Sequence, residues 1–107
     1  MDSAEYVQRV LDAYRATPGT CVRKPDRAFA LALHARRVPL AAVENAFVLA
    51  AARRLARPPD APPLSIIRSL AYFGPVIDEV LHSSVGQAYY DYLRQRLPHL
   101  MAIQRPR

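Results

Sequence analysis

Apolar residues in this chain return every three or four positions, and no segment alternates apolar and polar with the period of a strand, so the pattern predicts helices throughout. Asp2 and Ser3 stand where a first helix needs a cap, Glu5 follows Asp2 by three, and Tyr6, Val7, Val10, Leu11 and Tyr14 form one stripe ending near Ala16. Thr17-Pro18-Gly19-Thr20 then reads as a turn within a loop over residues 17–24. A second helix is expected from Pro25-Asp26 to about Arg36, because proline suits a first turn and a carboxylate complements the positive helix end. Arg37-Val38-Pro39 breaks it, and Pro39 opens a third helix carrying Leu40, Val43, Phe47, Ala50 and Ala51, with Leu55 near its end.

The run Pro58 to Pro63 cannot continue a helix and predicts a stiff connector. After it, Ser65 is the expected cap of a helix bearing Ile66, Ile67, Leu70, Phe73, Val76, Ile77, Val80 and Leu81, kinked or split at Gly74-Pro75. A last helix from about Gly86 to Leu97 places Tyr89, Leu93 and Leu97 on one stripe with Tyr90 and Tyr92 flanking it, and residues 98–107 form a frayed tail. The expected fold is therefore all-α: one domain over residues 1–107, a bundle of about five helices with the proline-rich connector near 58–63.

Length and charge narrow the reading. A chain of 107 residues holds one core but not two. Its longest apolar run, Ala46 to Ala52, falls well short of a bilayer span, and the acidic start Asp2 to Glu5 is unlike a secretion signal, so a cytoplasmic protein with no membrane partner is expected. The single cysteine, Cys21, leaves no internal disulfide to form. The net charge of +6 favours a polyanion partner, although an arginine, alanine and proline bias also fits a GC-rich bacterial genome.

Basic residues gather at helix ends: Arg36 and Arg37 after the second helix, Arg53, Arg54 and Arg57 at the end of the third, Arg68 beyond the connector, and Arg94 and Arg96 beside the tyrosines of the last. These eight are the candidate nucleic-acid-binding residues, and Arg23, Lys24 and Arg27 add charge at the start of the second helix. Complementing the negative helix ends would explain much of this placement without a ligand. The second and third helices have the outline of a helix-turn-helix, yet Leu40 to Asn45 offers base edges almost nothing, which favours an ordinary helical hairpin. Glu79 and His82 have the spacing of a metal-chelating pair but lack the further ligands such a site needs, and the three glycines build no phosphate-cradling loop. No cofactor, no small molecule and no enzymatic activity are expected.

The order of features from Asp26 to Leu81, a basic helix, Arg37-Val38-Pro39-Leu40 leading into an alanine-rich helix, a proline connector, then Ile67-Arg68-Ser69-Leu70-Ala71-Tyr72-Phe73, resembles the helical C-terminal region of DnaD-like and plasmid-type replication initiation proteins, and short uncharacterised proteins carried with bacterial mobile elements. The likeness covers about half the chain; the winged-helix domain of those families has no counterpart here, and their pattern does not reach residues 86–97. It implies DNA or replication proteins as partners, a packing role for Tyr72 and Phe73, and a nucleic-acid contact at Arg68. Together these readings lead to the expectation of a non-enzymatic accessory protein that binds nucleic acid through its phosphates within a replication, transposition or defence complex, the alternative being a protein-interaction module or homodimeric adaptor.

Overall fold

The computed structural model describes residues 1–58, 60–62 and 64–104. The chain forms α1 (Ser3–Ala16), α2 (Lys24–Ala35), α3 (Leu40–Leu55), a 3-10 turn (Leu70–Phe73), α4 (Gly74–Leu81) and α5 (Gln87–Gln104), the all-α bundle that the periodicity predicts. Among the described residues the sole pairing of extended backbone is one parallel bridge, Thr20 to Ile67. Of the expected connector and tail, Pro59, Pro63 and residues 105–107 lie outside the described residues.

Local chemistry sets the first three helices. The Asp2 carboxylate accepts the Glu5 N–H at 2.8 Å and starts α1, whose stripe Tyr6, Val7, Val10, Leu11 and Tyr14 is buried as expected. Thr17 ends it: its N–H bonds the Tyr14 carbonyl and its hydroxyl the Ala13 carbonyl, with Gly19 supplying the positive φ of 78° that the turn requires. Two phenols then fasten α1 to distant backbone, Tyr6 donating to the Val38 carbonyl at 2.7 Å and Tyr14 to that of Cys21 at 2.8 Å. Burial raises the pKa of both tyrosines, and for Tyr14 the nearby Asp26 adds to the effect. At the end of α2 the Val38 N–H returns to the Leu33 carbonyl and the Arg37 N–H to that of His34, a Schellman closure in which Arg37 takes the left-handed position at φ 60°.

The segment after the connector departs from its apolar pattern. Ser65 caps no helix; residues 64–69 are not helical, and Ile67 is held on both sides, its N–H donating to the Gly19 carbonyl at 2.6 Å and its carbonyl accepting from Cys21 N at 2.9 Å. Backbone committed to these partners cannot also make the bonds of a helix. Helical geometry begins only at Leu70, with the Ser69 hydroxyl accepting the Ala71 N–H, and Pro75 opens α4 in the first turn, where its missing N–H costs nothing. Gly74-Pro75 therefore separates a 3-10 turn from a helix.

α3 lies at the centre, packed against α1, α4, the 3-10 turn and α5. Asn45 through Ala52 are all buried, on every side of the helix rather than on one face. Phe47 meets Phe73 at 4.8 Å and Tyr14 at 6.1 Å between ring centroids, and Tyr14 meets Phe73 at 5.9 Å, an aromatic cluster that joins three segments of chain. α2 packs on α1 and the 3-10 turn and not along α3, so the two helices do not form the expected hairpin. Nor is α3 free to enter a DNA groove.

α5 docks on α3, fixed at its start by a reciprocal pair of side-chain amides: Asn45 donates to Gln87 at 2.8 Å and Gln87 to Asn45 at 3.0 Å. Its inner stripe is Tyr90, Leu93 and Leu97: the two leucines are those expected, while Tyr90 takes the inward place expected of Tyr89, which is exposed. The helix also runs on through Pro98 to Gln104, past the expected end at Leu97. Pro98 is exposed, so the carbonyl it leaves unbonded one turn back can be met by water.

Candidate nucleic-acid interface

Three pieces of chain carry cations to one region, and backbone hydrogen bonds hold them there. The loop 19–23 with the first turn of α2 is tied twice to the segment 65–70: at Ile67 by the bridge, and at Leu70, whose N–H donates to Asp26 Oδ1 at 2.9 Å. The other oxygen of Asp26 accepts the Arg23 N–H at 2.7 Å. Arg68 stands between these two ties and so beside Arg23 and Lys24, with Arg27 in the first turn of α2. From the end of α3, Arg54 reaches the same segment, donating to the Ser65 carbonyl at 2.7 Å with its guanidinium beside Gly19 and 5.8 Å from the centroid of the Tyr72 ring.

What the acids bind decides which of these cations are held in ion pairs. Asp26 is 1 % exposed and spends both oxygens on backbone donors, so it forms no ion pair with the cations around it. Arg23, Lys24, Arg27 and Arg68 are all exposed and have no ion-pair partner among the described residues. Elsewhere five arginines are matched, among them Arg9 with Glu5, Arg15 with Asp12, Arg36 with Asp78 at 3.3 Å, and Arg94 with Asp91 at 4.0 Å, while Arg37 and Arg96 are exposed and have no ion-pair partner among the described residues. Arg53 forms a two-pronged pair with Glu79 of α4. That hydrogen bonding holds the Glu79 carboxyl below its ordinary pKa and raises that of Arg53, with Tyr89 and Tyr90 of α5 adding to the rise.

The eight arginines singled out from the sequence thus divide. Arg53, Arg54 and Arg57 line one hollow at the end of α3, and Arg68 is exposed on the segment whose Ser65 carbonyl accepts from Arg54. Arg36 is engaged by α4, Arg37 closes α2 beside Tyr6 and His34, and Arg94 lines a different hollow with Ala13, Thr17 and Glu44; Arg96 is exposed further along α5. Arg23 and Lys24 belong to the region by virtue of ties between residues more than forty apart, which no local pattern signals. Of the aromatic pair in the resemblance, Phe73 is wholly buried in the core while Tyr72 is 48 % exposed.

The remaining candidate chemistry is occupied otherwise. Glu79 pairs with Arg53, the His82 ring bonds the Asp78 carbonyl at 2.7 Å, and the described residues hold no group of three metal-ligating side chains. Cys21 is exposed and unpaired. No helix among the described residues is long and apolar enough to cross a membrane. Comparison with protein-family models, with curated proteins and with solved structures gave no match.

Proposed function

We propose that this is a non-enzymatic helical accessory protein that grips the phosphates of nucleic acid through Arg23, Lys24, Arg27, Arg54, Arg57 and Arg68, working beside partners in replication, transposition or defence. The observation that supports the reading is the Asp26 tie: it fastens the segment that carries Arg68 to the start of α2, where Arg23, Lys24 and Arg27 stand, and it spends both carboxylate oxygens on backbone donors rather than on an ion pair with these cations. Arginine and lysine so gathered displace counterions from a phosphate backbone without reading bases.

The test is fluorescence anisotropy of labelled oligonucleotides at low and moderate salt. Reversing Arg23, Lys24 and Arg68 to glutamate abolishes binding, while reversing Arg9 and Arg15, each matched by an acid on α1, leaves most of it. Loss of equal size in both variants, or no binding by the native protein, overturns the reading. A second reading, self-association or docking on another protein, draws on the exposed apolar residues Leu81 at the end of α4, Val85 in the loop after it, and Tyr89, Tyr92 and Met101 on α5. It predicts a sedimentation mass that rises with concentration and falls on Tyr92→Glu.

A further inference from the structure

We infer that the strand held by this face is single-stranded, with one unpaired base stacked on Tyr72; the inference rests on the phosphate-binding reading above. A hollow of about 320 Å³ opens between the end of α3 and the segment leading into the 3-10 turn. Leu64, Tyr72 and Val76 make its apolar wall, and Arg53, Arg54 and Arg57 line it as well. Aromatic and aliphatic surface is thus continuous with cations, the combination a nucleotide presents in reverse as base and phosphate.

Tyr72 is the residue that the fold leaves unexplained. Its neighbour Phe73 is fully buried, whereas the Tyr72 ring, set edge-on to Phe73 at 5.2 Å and 81°, is 48 % exposed. Its hydroxyl makes no hydrogen bond among the described residues, and Leu64, which lines the same hollow, is 44 % exposed. Arg54 is steadied against the ring by its bond to Ser65, so ring and guanidinium are positioned before any ligand arrives. A duplex keeps its bases stacked inside and offers this ring only sugar and phosphate; an unpaired base offers a flat face. The tyrosines of α5 are less well placed, since Tyr90 is buried and Tyr89 and Tyr92, though exposed, do not line the hollow.

The experiment measures anisotropy for one labelled oligothymidine and for a duplex of equal length, with native protein and with Tyr72→Ala, Tyr72→Phe and Tyr92→Ala. The single strand binds more tightly than the duplex; Tyr72→Ala weakens the single strand by roughly five- to a hundredfold and leaves the duplex nearly unchanged, and Tyr72→Phe and Tyr92→Ala behave as native. Because Tyr72 is half exposed, the phenylalanine variant guards against a folding artefact, and far-ultraviolet circular dichroism confirms that the alanine variant is folded. Duplex binding equal to single-strand binding, or a Tyr72→Ala loss shared by both ligands, overturns the inference while leaving the phosphate reading intact. That reading fails on its own if charge reversal at Arg23, Lys24 and Arg68 changes nothing.

Discussion

Replacing Asp26 with alanine strips two backbone donors of their acceptor at once. The Leu70 N–H lies in a buried bond and the Arg23 N–H in a partly buried one. A buried donor left without a partner costs about 1–3 kcal/mol, and a partly buried one about 0.5–1.5 kcal/mol. The sum, about 1.5–4.5 kcal/mol, is a large share of the roughly 5–15 kcal/mol that holds a domain of this size folded. Asp26→Asn keeps the shape and one acceptor oxygen but turns an amide N–H toward the second donor, so its cost falls between native and alanine. Urea denaturation followed by circular dichroism reads this as a midpoint lowered by roughly 1–2 M for Asp26→Ala, with the slope unchanged. Both variants lying within about 0.5 kcal/mol of native would refute the role given to the carboxylate, because a buried group with two such bonds cannot be removed so cheaply.

Arg37 occupies a left-handed position at φ 60°, so Arg37→Gly relieves strain of about 1–2 kcal/mol, part of which the freer unfolded chain takes back; thermal melting should rise by roughly 2–6 °C, and Arg37→Val should lower it. Glu79 has a lowered pKa, so the stability it contributes is present above the ordinary carboxylate value and is lost as pH falls through its depressed one; a side-chain NMR titration should find that low midpoint and see it return to the ordinary range in Arg53→Gln. Gln87→Ala orphans the amide of Asn45, which is 6 % exposed, at a cost of about 1–2 kcal/mol, and hydrogen exchange should quicken in α5 well before α1.

Where a boundary depends on neighbours in sequence, the pattern of residues was enough to find it. Asp2, Thr17, Pro25 and Pro39 act through backbone within a few positions, and α1, α2 and α3 begin and end close to where those residues place them. The stretch 64–73 was legible in its apolarity but not in its conformation, because its partners, the Gly19 carbonyl, the Cys21 N–H and the Asp26 carboxylate, are remote in the chain. α5 shows a finer failure: adjacent tyrosines leave the inward residue ambiguous by one position, and the docking of Gln87 on Asn45 selects Tyr90. For the interface, the abundance of arginine at helix ends was plain, while which arginines are neutralised was not. Arg36 and Arg53 find their acids on α4, and Arg23 and Lys24 join Arg68 only through the long-range tie.

The central claim is that cations from three chain segments act as one phosphate-gripping face, and the salt dependence of binding tests it most directly. The logarithm of the association constant for a single-stranded oligonucleotide, plotted against the logarithm of salt concentration, should be a line whose slope shrinks by about 0.7 for each cation removed from the face. Arg23→Gln combined with Arg68→Gln should therefore reduce the slope by about 1.4, and Arg9→Gln combined with Arg15→Gln should leave it unchanged. Equal slopes for native protein and both variants, or a larger change in the α1 variant, would contradict the account.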